Sequence, residues 1–169
     1  MVSLLFLLAA PDAFAQAQPK SLASFDAWSA WEFGEGPAKV CYVTGLPAAS
    51  LPAGAKRGDI RITVSHRPAT KARDEISFQA GYPIKADKPV TAAVDKAKSF
   101  EFSRRAQPTG DMIWTKDPET DKAMIVALKT GTDLVVNGMS TRNTATADTF
   151  KLSGFAKALE AANKACGLR

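Results

Sequence analysis

Two cysteines set far apart restrict this chain more than any other feature: Cys41 lies in its first third and Cys166 three residues from its end. If they are bonded, any fold must bring an early segment against the last one. Whether they bond depends on compartment, because disulfides persist in oxidising surroundings and are rare in the reducing cytosol. The start of the sequence bears on that. Residues 1–10 are almost wholly apolar, with Leu4, Leu5, Phe6, Leu7 and Leu8 in succession, and Pro11-Asp12-Ala13-Phe14-Ala15-Gln16 follows. A short apolar helix ending in Ala-x-Ala is what a secretion signal and its peptidase need, so residues 1–15 read as a signal peptide cut after Ala15. No Lys or Arg precedes the apolar stretch, a departure from the usual signal. A buried first helix or strand is the alternative, and Pro11, followed by a polar segment, argues against it.

Export and an even cysteine count make a Cys41–Cys166 disulfide the leading reading, with two buried free thiols as the alternative. In the chain-entropy model a loop of this length gives about 5 kcal/mol of stabilisation. A zinc site is poorly served, since there is no close cysteine pair and His66 is the sole histidine.

A chain of 169 residues fits one domain and is long enough to bury a core. Residues 16–24 are polar and read as a flexible leader, and residues 25–169 as a single β-rich domain. No run of about 18 apolar residues exists outside the start, so no membrane helix is expected in the mature chain. The net charge of +5 rises by one when Asp12 leaves with the signal. That excess favours contact with anionic surfaces such as lipid head groups or polyanionic sugars. The cations are dispersed from Lys20 to Arg169 without a basic run or recognisable motif, so no nucleic-acid partner is expected.

Residues 25–33 carry Phe25, Trp28, Trp31 and Phe33 with mixed period, as a strand or a short irregular segment. Residues 39–44 alternate around Val40, Tyr42 and Val43 and place Cys41 on a strand. Gly, Pro and small residues over 45–54 predict a loop. Residues 59–67 give the clearest strand, with Ile60, Ile62 and Val64 alternating against Arg61, Thr63 and Ser65. Further strands are expected over 75–80, 90–94, 99–103, 111–115, 132–139 and 141–150. Residues 117–129 read as a helix capped by Asp117, with Pro118 in its first turn and Ala123, Met124, Val126, Ala127 and Leu128 following. Leu152, Phe155, Leu159, Ala162 and Cys166 recur at helical spacing before Gly167, with Ser153 or a neighbour as cap. The expected fold is mainly β: an antiparallel β-sandwich-like domain with a short helix and a C-terminal α-helix that turns Cys166 toward Cys41.

Chemistry is nearly absent from the letters. His66 stands at a strand end with no nucleophile motif nearby, and Ser153-Gly154 lacks the Gly-x-Ser-x-Gly elbow. Asp117, Glu119 and Asp121 fit helix-start electrostatics better than a calcium loop, which would need more oxygen ligands and a glycine at its sharp turn. No Gly-rich phosphate loop is present, so no cofactor is expected. Arg57-Gly58-Asp59 matches a tripeptide that some receptor-binding proteins display, but three residues recur by chance very often, and it is read as a turn feeding the strand at Ile60. Trp28, Trp31 and Trp114 are read as core residues rather than as a ligand groove. No catalytic, cofactor-binding or metal-binding residue is assigned.

Residues Asp148-Thr149-Phe150-Lys151-Leu152-Ser153-Gly154-Phe155, then Ala158 and Cys166, resemble the closing pattern of the invasion-associated locus B family of bacterial envelope proteins. Upstream, Val40-Cys41-Tyr42, Arg57-Gly58-Asp59, His66-Arg67-Pro68, Gly81-Tyr82-Pro83, Trp114 and Met139-Ser140-Thr141-Arg142 are similar to family residues in the same order. Asn143 stands where the pattern carries Gly; Asn tolerates left-handed backbone better than most residues. The resemblance implies a β-sandwich-like fold with an added helix and brings no catalytic residues. It implies an exported, non-enzymatic envelope or surface protein of a Gram-negative bacterium, periplasmic, outer-membrane-associated or secreted. Contact with an envelope or host-surface protein, or with an anionic surface, is its expected task. The alternative is a periplasmic module or inhibitor that binds a small ligand or another exported protein.

Overall fold

A computed structural model describes residues 18–96, 98–103 and 110–168. The expected signal peptide, residues 1–15, lies outside them. Eleven strands form one sheet: β1 (Lys20–Phe25), β2 (Trp28–Phe33), β3 (Val40–Gly45), β4 (Ala49–Leu51), β5 (Arg61–Arg67), β6 (Ala72–Gln79), β7 (Val90–Val94), β8 (Lys98–Ser103), β9 (Met112–Thr115), β10 (Asp133–Met139) and β11 (Ala145–Lys151). Their order is β1-β2-β3-β5-β6-β9-β8-β7-β10-β11-β4, and every pairing is antiparallel.

The sheet curls until distant strands face one another, which gives the sandwich-like layering expected from the sequence. Phe78 on β6 meets Phe150 on β11 edge to face at 6.4 Å, although four strands separate them in sheet order. Across the same interior, Trp28 Nε1 on β2 donates to the Lys151 carbonyl at 2.8 Å. Alternation supplies the core: Ile62 and Val64 on β5, Val90 and Ala92 on β7, and Leu134 and Val136 on β10 are all buried. Gly45 ends β3 because the Trp28 indole fills its side-chain space; a Cβ there would lie 2.8 Å from Cη2.

Two helices brace the sheet. In α1 (Pro118–Thr130), the Asp117 carboxylate accepts from the Thr120 amide at 2.7 Å, the expected N-cap. This helix buries Met124, Ile125 and Leu128, whereas Val126 is 63% exposed. The second, α2 (Phe155–Ala165), lies across β1, β2 and β3. Its Phe155 ring stands edge-on to Trp28 at 4.7 Å, and Ala158, Leu159 and Ala162 continue the buried stripe. Burying Phe155 and Leu159 contributes about 2 kcal/mol each. Gly167, at φ 66°, closes α2: its amide donates to Lys164 and the Leu168 amide to Asn163, the paired bonds of a Schellman stop.

Two expectations need correction. Residues 20–24, read as flexible leader, form most of β1; Leu22 and Phe25 pack on the core and the strand pairs with β2. The loop expected over 45–54 contains β4, which pairs with β11. The cap of α2, expected at Ser153 or a neighbour, falls on the neighbour. Gly154 holds that position at φ 85° without a side-chain cap, and a Cβ there would strike the Phe25 carbonyl at 2.2 Å.

Candidate functional site

Three connecting segments meet at one end of the curled sheet. The segment after β4 brings Lys56 and Arg57, the turn after β6 brings Gly81-Tyr82-Pro83, and the β10–β11 turn brings Ser140 to Thr144. Together they line an open cleft of about 270 Å³. Local backbone chemistry fixes each segment. The Gly58 amide donates to the Gly81 carbonyl at 2.8 Å. Gly81 has φ +69°, and a Cβ would lie 2.5 Å from the Gly58 carbonyl oxygen, so both the turn and the close approach require glycine. The Thr141 amide donates to Pro83 and the Lys85 amide to Met139, stitching the second segment to the third. The Thr144 amide donates to Ser140 Oγ at 3.1 Å. Asn143, where glycine was expected from the resemblance, adopts φ 62° and keeps the turn, and its Oδ1 accepts from Lys85 Nζ.

Beneath the cleft lies a buried ion pair. Arg57 Nη1 and Nη2 donate to Asp148 Oδ1 and Oδ2 at 2.8 and 2.7 Å, while Nε and Nη2 also donate to the Ala80 carbonyl. The two side chains are 6% and 0% exposed. The guanidinium also lies 4.8 Å from the Tyr82 ring centroid. Tyr82 and Thr146 share a 2.6 Å hydroxyl–hydroxyl bond, and burial pushes the Tyr82 phenol pKa up, with Asp148 adding to the rise and Thr146 and Arg57 opposing it. A Cβ on Gly138 would lie 2.5 Å from the Tyr82 hydroxyl, so the strand beside the ring needs glycine.

The structure bonds Cys41 to Cys166, with Cα atoms 5.9 Å apart. His66, read as a lone strand-end histidine, is fully buried opposite Cys41; its Nδ1 accepts from the Asp74 amide at 3.1 Å. Asp121 does more than shape the electrostatics of a helix start. It is buried, accepts from the Ile76 amide at 3.1 Å and from Thr115 Oγ1, and ties α1 to the sheet. The Arg57-Gly58-Asp59 tripeptide is not displayed as a unit, because Arg57 is held under Tyr82 while the Asp59 side chain is 79% exposed. Of the three tryptophans only Trp28 is in the core. Trp31 and Trp114 are half-buried, and Trp31 Nε1 donates to Thr44 Oγ1. The Arg57–Asp148 pair was not anticipated. One signal existed: on an alternating β11, Asp148 takes the inward face between Thr146 and Phe150, and an inward carboxylate demands a buried partner.

These features define a disulfide-closed, helix-braced antiparallel β protein with a hydroxyl-lined cleft at one end of its sheet. The family model described as Invasion associated locus B (IalB) protein matches residues 28–163, and the chain belongs to that family. The matched span holds Cys41 and the whole cleft and stops short of Cys166. With the disulfide, which needs oxidising surroundings, the family indicates an exported protein. Among the described residues no helix is long and apolar enough to cross a membrane. No curated protein and no solved structure is significantly similar to this chain.

Proposed function

We propose that the protein is a non-enzymatic envelope or surface protein of a Gram-negative bacterium, exported by the signal over residues 1–15, that works by binding. One observation carries the reading. The segments that resemble the family around residues 57, 81–83 and 139–142 converge on a single cleft lined by Lys56 and Arg142, with the Arg57 charge already balanced by Asp148 beneath it. Such a lining attracts anionic partners at the envelope or on a host cell. His66 supports the non-enzymatic part, since it is buried and its Nδ1 holds a backbone amide. The alternative, a periplasmic module or inhibitor that binds a small ligand or another exported protein, rested on the aromatic set and the β-rich scaffold, and no tryptophan lines the cleft.

The test compares binding to isolated bacterial envelopes and to host-cell membranes with that of an unrelated exported protein of equal net charge. Stronger, saturable binding by this protein is the expected result. Equal binding would leave only its charge and would overturn the reading.

A further inference from the structure

The buried Arg57–Asp148 pair neutralises itself, but two other cations at the cleft are left over. Among the described residues neither Lys56 nor Arg142 has an ion-pair or hydrogen-bond partner for its side chain. Both are exposed on opposite segments of the cleft, one after β4 and the other in the β10–β11 turn. Hydroxyl side chains line the same cleft. Ser140 is buried and its Oγ accepts from the Thr144 amide, which leaves its own O–H to donate, while Thr141 and Thr144 are exposed residues of the same lining.

We propose that this cleft binds the phosphate of a small hydroxylated phosphate ester of the glycerol phosphate kind, free or as a lipid head group. The proposal rests on the reading of the protein as an envelope binder and names the chemistry it recognises. Phosphate fits the donors better than carboxylate does. A guanidinium fork matches pairs of phosphate oxygens, an ammonium acts as a point charge, and the hydroxyls serve the remaining oxygens. A carboxylate offers two oxygens and one charge to a site with two cations and several donors. The volume of about 270 Å³ lies just under the usual range for drug-sized ligands, which suits a head group. Tyr82 and Arg57 are already fixed by their own bonds, so binding orders little beyond Lys56 and Arg142. A second basic concavity, holding Lys129, Lys151 and Lys157, differs: Asp26 lines it and Lys151 is bonded to Asp133.

The experiment uses three proteins: wild type, the double variant Lys56→Ala/Arg142→Ala, and the charge-matched control Lys129→Ala/Lys157→Ala. Circular dichroism confirms that each is folded. Glycerol phosphate is titrated by NMR, and co-sedimentation is measured with phosphatidylcholine vesicles with and without phosphatidylglycerol. Wild type and control are expected to bind glycerol phosphate, and the cleft variant to bind roughly tenfold more weakly, as two partly exposed charge contacts would give. Phosphatidylglycerol-dependent sedimentation with the same pattern identifies a head group as the source; glycerol phosphate binding without sedimentation identifies a free ester. The proposal is overturned if the cleft variant binds both probes like wild type, or if the control loses as much as the cleft variant. Envelope binding that survives Lys56→Ala/Arg142→Ala, with glycerol phosphate binding also unchanged in that variant, would sink the cleft and spare the envelope reading. Cleft-dependent glycerol phosphate binding without envelope binding would do the reverse.

Discussion

Arg57 and Asp148 lie 91 positions apart in the chain and meet as a two-point ion pair inside the protein, with the guanidinium also bonded to the Ala80 carbonyl. The pair joins the segment after β4 to β11 and forms the floor of the cleft. Withdrawing two charges from water is expensive, and what holds them is the completeness of their bonding. Removing one partner therefore does more harm than removing both. Arg57→Met or Asp148→Leu alone is expected to lower unfolding stability by about 3–5 kcal/mol, because each strands a buried charge. The double variant should recover a large part of that loss. Urea unfolding of the four proteins as a double-mutant cycle measures the coupling, and additive single losses would show that the pair does not act as a unit.

His66 sets an acid limb. Burial holds its pKa below the ordinary 6.5; the nearby Asp74 carboxylate opposes that shift and Arg73 adds to it. Accepting the Asp74 amide on Nδ1 requires the neutral ring with its proton on Nε2. Well above pH 6.5 the ring is neutral in both folded and unfolded chains and adds no pH dependence. Below that value the unfolded chain takes up a proton that the folded one refuses, so stability falls as pH drops toward the depressed folded pKa. Denaturant midpoints measured from pH 7.5 down to 4.5 should decline less steeply in His66→Gln, which keeps an acceptor for Asp74. Identical slopes would remove His66 from the account.

The Cys41–Cys166 bond closes a loop spanning 125 positions and fastens the end of α2 to β3. Its loss should be felt mainly through the unfolded chain. The double variant Cys41→Ala/Cys166→Ala is expected to lose up to about 5 kcal/mol, less whatever order the open unfolded chain retains. Mass spectrometry of the unreduced exported protein checks the bond itself, and two free thiols there would contradict it.

How far the fold was legible depended on whether a segment's order is local. Ile62 and Val64 alternate in a half-buried strand, and Phe155, Leu159 and Ala162 trace one face of a helix, so β5 and α2 are written in period alone. Ala49-Ser50-Leu51 has no such pattern: two of the three are exposed, and β4 exists because β11 offers it an edge. Likewise, β1 follows a polar segment and has only Leu22, Ala23 and Phe25 to mark it, and it is held by β2 and the underside of α2. The cleft was visible only in pieces. Arg57, Tyr82 and Arg142 each stood in a stretch resembling the family, but their meeting depends on which strand ends the curled sheet brings together. No local rule supplies that.

Gly81 offers the sharpest check on that convergence, because two separate effects act there and a control isolates one of them. Its φ of +69° disfavours any side chain, and a Cβ would also lie 2.5 Å from the Gly58 carbonyl, whose backbone cannot swing aside as a flexible side chain would. Gly54 has a similar φ of +75° with nothing within 4 Å of a Cβ. Gly54→Ala should therefore cost only the left-handed penalty of about 1–2 kcal/mol. Gly81→Ala should cost clearly more, since the Gly58–Gly81 contact must open as well. That opening shifts Arg57 and Tyr82, so the loss should be accompanied by changes in the amide NMR signals of residues 56–58 and 140–144 that Gly54→Ala leaves alone. Equal destabilisation by the two variants would mean that the neighbouring segments yield freely, and the cleft would then lack the rigid floor on which selective binding depends.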